Sequence, residues 1–162
     1  MQFEVSAAQI KQAQVPHNVF VSGVLLFHLL LTPAVITLKV GMIGLLIPLA
    51  CSLLMMAYIF VRSRKTTTWF VDAHWRLTFQ HTQWLMIGYA VSATLIFLAW
   101  LISSTASADS MKHIMWTAMT RIAVIPTLIA VMITSVTEAS AVAVAARGEV
   151  PDKILKTFPP NT

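Results

Sequence analysis

From Val19 to Val136 the chain is almost continuously apolar, and a basic knot, Arg62-Ser63-Arg64-Lys65, divides that tract in two. Four segments are long enough to span a bilayer: residues 19–37, 40–61, 84–103 and 114–136. A span needs ~20 mainly apolar residues at ~1.5 Å rise each. Residues 19–61 carry one charge, Lys39. As one helix they would run ~65 Å, about twice the hydrocarbon core. The pattern therefore predicts two helices joined by a tight turn at Leu38-Lys39-Val40-Gly41. Lys39 marks the turn and Gly41 permits the reversal.

Residues 62–83 form a central loop with a pattern of its own. From Val71 to Gln80 apolar and polar residues alternate strictly. Period two normally argues strand, but a lone strand has no partner among helices. A helix from about Thr66 is expected, lying in the interface or running into the third span. On it the apolar positions fall in two separate sectors, so a second partner surface is needed, which points to contact with another subunit. Trp69, Trp75 and Trp84 suit the headgroup region. After Val136 an alanine-rich stretch stays helical until Gly148 and Pro151 end it.

Composition agrees with this reading. Hydrophobic residues make up 57% of the 162 and charged residues 10%, far below the ~25% charged of soluble domains. The net charge of +5 does not point to nucleic acid, because the basic residues flank apolar runs. With four crossings, one face holds Lys11, Arg62, Arg64, Lys65, Arg76, Arg147, Lys153 and Lys156. The other holds Lys39 and Lys112. That asymmetry places both termini and the central loop in the cytoplasm. The first 18 residues lack the pattern of a cleavable signal peptide and read as a cytoplasmic segment. The lone cysteine, Cys51, excludes an internal disulfide. The expected fold is all-α: a polytopic four-helix membrane bundle in one domain, with an interfacial helix in its central loop and a cytoplasmic tail over residues 137–162. A bacterial inner membrane is the default location.

Few residues could carry chemistry. Arg121 lies about seven residues, or ~10 Å, inside the fourth span. A central arginine costs roughly 2.5–3.5 kcal/mol on insertion scales, which implies an anion, a headgroup or another subunit; the alternative is snorkelling to the outer headgroups. Glu138, at the inner end of the same helix, is too far away to pair with it and reads as an interfacial carboxylate, neutralised by lysine or arginine of the central loop. His28, mid-span, reads as a neutral histidine hydrogen-bonded across the bundle. No histidine matches its depth, so haem would need a ligand from another chain, and no cofactor is expected. His74 and His81 are seven apart, awkward for one metal. Asp72 and Arg76 have the order of a helical ion pair. A solvated helix face accounts for all four. Pro33, Pro48 and Pro126 fall in three spans, where proline is common.

No catalytic motif is present, and the chain is expected not to be an enzyme. The expected function is an accessory or assembly subunit of a larger membrane complex. The alternatives are a small transporter or channel working as a homo-oligomer and, behind both, a haem- or quinone-binding redox subunit. Partners are the lipid bilayer and other membrane subunits.

Overall fold

The computed structural model describes residues 2–40 and 42–160. Among these residues there is no strand, only an isolated bridge between Gln2 and Glu149. Helix α1 spans Ala7–Val24, continues through a π-helical stretch, Leu25–Leu31, and ends as α2, Thr32–Thr37. A short 3-10 turn, Met42–Leu45, leads into α3, Leu46–Ser63. Helix α4 runs unbroken over Trp69–Ser104. Helices α5, Asp109–Ala123, and α6, Ile125–Ala146, follow, and α7, Asp152–Thr157, closes the chain. Four helical stretches are long and apolar enough to cross a membrane: Ala7–Thr37, Ile43–Ser63, Trp69–Ser104 and Asp109–Ala146. Their exposed side chains include Leu30, Leu54, Met132 and Val136, a surface suited to lipid rather than water.

The boundaries follow local chemistry. Ser6 accepts from the Gln9 amide and Gln9 answers the Ser6 amide, a capping box that starts α1 well before the expected span. The π stretch precedes Pro33, whose ring has no room over the carbonyl four residues back. The widened turn accommodates it, with the Thr32 hydroxyl donating to the Phe27 carbonyl at 2.8 Å. Pro48 and Pro126 instead sit in the first turns of α3 and α6, where a missing N–H has no helical acceptor to lose. The tight turn falls where the sequence places it, but Lys39 itself takes the left-handed conformation, φ 54°. Gly41 lies outside the described residues.

The chain forms two compact units. One comprises Met1–Thr82 and Ser135–Thr162; the other is Gln83–Thr134.

In the first unit, the connection over residues 64–68 is short and the central segment is helix from Trp69 onward, running directly into the third span. Its first three turns are buried on nearly every side: Phe70, Val71, Ala73, Trp75 and Leu77 are all core residues. Both apolar sectors of the alternating pattern are thus covered. Ala13, Ala141 and Ala145 pack with Phe70, Ala73, Leu77, Val150 and Ile154. Trp69 donates to the Phe158 carbonyl at 3.2 Å and meets the ring of Phe3 at 5.0 Å. Helix α6 ends in a Schellman arrangement. Gly148, φ 68°, donates to Ala145 and Glu149 donates to Val144, both at 3.1 Å. The Phe3 amide donates to the Gly148 carbonyl at 2.9 Å, tying the N-terminus to this cap.

In the second unit, α4 and α6 meet where Gly88 faces Ala130. A Cβ on Gly88 would lie 2.5 Å from that of Ala130 and 3.2 Å from the Pro126 carbonyl oxygen. The Thr127 hydroxyl bonds Ser92 at 2.8 Å and the Gly88 carbonyl at 3.3 Å. Gly88→Leu is expected to lower stability by about 1–3 kcal/mol through overpacking. Thermal unfolding in detergent measures it, and an unchanged midpoint would refute the close contact.

Candidate functional site

The first unit gathers its polar side chains at one place. On α1 the buried positions are Ala13, Pro16, His17, Phe20, Gly23 and Val24. That spacing is one helical face, and His17 occupies a core position on it. On α4, His74, Thr78 and His81 follow one another at intervals of four and three, again one face. On α6, Thr134, Glu138, Ala141 and Ala145 are buried at the same kind of spacing. Glu138 therefore points inward, fully buried, from the face that packs its helix.

His17 Nδ1 lies 2.5 Å from Glu138 Oε2, and His81 Nδ1 lies 2.6 Å from Glu138 Oε1. His17 Nε2 is 2.9 Å from His74 Nδ1, and His74 Nε2 is 3.1 Å from the Glu149 carbonyl oxygen. Thr78 Oγ1 sits 2.9 Å from His17 Nδ1 and 3.3 Å from Glu138 Oε2. His17, His74, Thr78 and Glu138 have no exposed surface. The His81 side chain is 20% exposed, which makes it the one outlet of the group.

With His74 neutral, these contacts place the remaining protons. A carbonyl only accepts, so His74 Nε2 carries hydrogen and donates to Glu149. Neutral His74 then offers Nδ1 as an acceptor, and His17 Nε2–H donates to it. His81 Nδ1–H donates to Oε1. One further proton bridges His17 Nδ1 and Oε2, held as an imidazolium facing a carboxylate or as a carboxylic acid facing an imidazole. Both forms leave the group neutral overall. A lone buried carboxylate would be costly; this arrangement gives each Glu138 oxygen a donor. The result is a hydrogen-bonded chain from His81 through Glu138 and His17 to His74, ending at a backbone carbonyl.

The Schellman cap directs that carbonyl, since Gly148 turns the chain so that Glu149 presents its oxygen to His74. The Glu149 side chain points elsewhere, 3.0 Å from Arg147. The hydrogen bond from Arg147 holds its carboxyl below the ordinary carboxylate range.

Several expectations change. His74 and Asp72 are buried and do not form a solvated face. Asp72 accepts from the Thr67 amide at 2.9 Å and the Thr67 hydroxyl at 2.7 Å, and so ties the preceding connection to the first turn of α4. Arg76 lies 3.8 Å from the centre of the Phe158 ring; it does not pair with Asp72. Trp75 packs between Tyr58, at 5.9 Å between ring centres, and Arg62, 5.2 Å over its ring. Glu138 is no interfacial carboxylate, and histidines engage it in place of loop lysine or arginine. His28 lies 3.4 Å from Ser52 across the helix pair, as a cross-bundle hydrogen bond requires. Arg121 is exposed on α5, in the other unit. Sequence reasoning passed over His17, because the first 18 residues read as a polar segment. The signal was its place at a core position in the run Ala13, His17, Phe20, Val24.

Among the described residues no group of three or more His, Cys, Asp or Glu is arranged to hold a metal ion. No protein-family model, no curated protein and no solved structure matches this chain.

Proposed function

We propose that this chain is a small proton-linked membrane transport protein in which the His17–Glu138–His81 group takes up and releases a proton. One observation carries the reading: a fully buried carboxylate has an imidazole nitrogen on each oxygen, and one of those imidazoles reaches the surface. Ionisable groups inside membrane proteins are expensive and mark proton relays and transport pathways, and histidine exchanges protons near neutrality. The excess of basic residues on one side supports placing both termini, and with them the His–Glu group, on the cytoplasmic side of a bacterial inner membrane. Four helices make a thin pathway, so two copies are implied.

The purified protein in liposomes with a trapped pH-sensitive dye tests this. Under an imposed potassium diffusion potential, wild type should acidify or alkalinise the lumen faster than protein-free vesicles. Glu138→Gln should fall to the protein-free rate. Wild-type vesicles indistinguishable from empty ones, or a fully active Glu138→Gln, would overturn the transport reading.

The accessory-subunit reading stands second. It draws on few polar groups in the spans, on the double apolar stripe over residues 71–80 and on Arg121 as a lone arginine within a span. The His–Glu group weakens the first argument. The burial of α4's opening turns by the chain itself weakens the second. Haem or quinone chemistry has no supporting geometry beyond His28.

A further inference from the structure

The hydrogen-bonded chain of the His–Glu group has two unlike ends. His81 is partly exposed. His74 is fully buried, and its outer nitrogen, Nε2, is spent on the Glu149 carbonyl at 3.1 Å. A backbone carbonyl accepts a hydrogen bond but is far too weak a base to carry a proton onward. The chain is therefore closed at its His74 end, and a proton that enters at His81 leaves only by His81. Residues 2–5 hold the closure in place. Gln2 bridges antiparallel to Glu149 itself. The Phe3 amide donates to the Gly148 carbonyl at 2.9 Å, and Gln2 Nε2 donates to the Arg147 carbonyl at 3.4 Å. Phe3 and Val5 pack against the core cluster that contains Val150 and Ile154, and the Phe3 ring meets Trp69 at 5.0 Å. This strap thus pins the peptide next to the one that His74 uses.

Building on the proposed proton uptake by the His–Glu group, we infer that residues 2–5 are the gate of its His74 end. The strap's hold is slight. Gln2 is exposed, and Phe3 and Val5 are only half-buried, the profile of a segment that opens locally at small cost. The capping box at Ser6 gives it a fixed hinge, because α1, which carries His17, starts directly after it and does not need to unwind. With the strap lifted, the cap loses its outer support, the Glu149 carbonyl turns off His74, and a water takes its place. A proton then passes along the group. His81 Nε2 takes it up and hands the Nδ1 proton to Glu138 Oε1. The bridging proton moves onto His17 Nδ1, and the His17 Nε2 proton moves to His74 Nδ1. The proton on His74 Nε2 leaves to the water, so one enters as one departs. His74 lies seven residues, ~10 Å, nearer the start of α4 than His81, so the two openings differ in depth along that helix.

Nuclear magnetic resonance of the full chain with isotope-labelled histidine tests this beside the liposome assay. In wild type the His74 Nε2–H signal, assigned by its loss in His74→Gln, should exchange slowly with water. Phe3→Pro removes both the amide donor and the ring. It should speed that exchange about fivefold, the factor that one opposing hydrogen bond withholds, and should raise proton flux into liposomes by a similar factor. Phe3→Ala keeps the amide and loses the ring, so it should give a smaller rise in both and stays informative if Phe3→Pro does not fold. Normal wild-type flux with unchanged His74 exchange in the folded variants would remove the gate alone. So would faster exchange with unchanged flux, since the strap would then cover His74 without limiting passage. Wild-type flux equal to that of empty vesicles would remove the transport reading and the gate with it.

Discussion

Glu138→Ala is expected to lower the stability of the purified protein by about 3 kcal/mol, whereas Glu138→Gln should cost less than ~1 kcal/mol. Alanine removes the acceptor of His81 and the proton-sharing partner of His17 in a place where neither loss is made good by water. Breaking one side of a buried charged pair is among the most destabilising single changes, and the cavity adds to it. Glutamine has the same shape and the right pair of groups. Its carbonyl oxygen accepts from His81 Nδ1–H, and its amide nitrogen donates to a neutral His17 Nδ1. Both histidine contacts are kept, with only the longer Thr78 bond lost, yet the bridging proton is gone. The two variants therefore separate structure from function: one unfolds early, the other folds and no longer exchanges a proton at this site. Thermal unfolding in detergent, followed by circular dichroism, supplies the comparison. Equal midpoints for alanine and wild type would mean that the Glu138 contacts do not form.

Gly148→Val should cost about 2–3 kcal/mol, the second large effect. A left-handed backbone costs an L-residue about 1–2 kcal/mol, and β-branching worsens the fit. The new Cβ would also lie 3.1 Å from the Phe3 carbonyl oxygen and 3.3 Å from Val5 Cγ2. The damage spreads along a defined route. Without the turn at Gly148, the Glu149 carbonyl leaves His74, and the Phe3 amide loses its acceptor. Hydrogen exchange should show the Phe3 amide losing protection in Gly148→Val while amides in the middle of α4 keep theirs. Retained protection at Phe3 would count against the cap as the link between the two ends of the chain.

Four apolar helices could be read directly from runs of ~20 residues, because membrane-length hydrophobicity is a property of composition. The turn at Lys39 and the stop at Gly148 were legible for the same local reason: backbone reversals have a residue signature. What the sequence hid was long-range. Glu138 looks interfacial until α1 and α4 are placed beside it, since its partners are 121 and 57 residues away. The alternation over residues 71–80 mimicked a strand because the helix there is covered on nearly every side, and such a helix has no single apolar stripe to detect. His17 was missed for a related reason. Composition drew the boundary of the first span at Val19, but the capping box at Ser6 extends the helix backward and turns a polar-looking segment into part of the core.

The spacing of the His–Glu group along the chain has a consequence for how the protein is made. His17, His74 and His81 leave the ribosome well before Glu138, and the carbonyl that completes the chain comes eleven residues later still. Since synthesis runs from the N-terminus, the nascent protein must hold three histidines without their acceptor until α6 and its cap have emerged. Closure of the group thus waits for α6, and it reports that this helix and its cap have arrived. A product truncated before Glu138 exposes unsatisfied imidazoles on helices meant to be dry, a mark by which a membrane protease could tell an unfinished copy from a finished one.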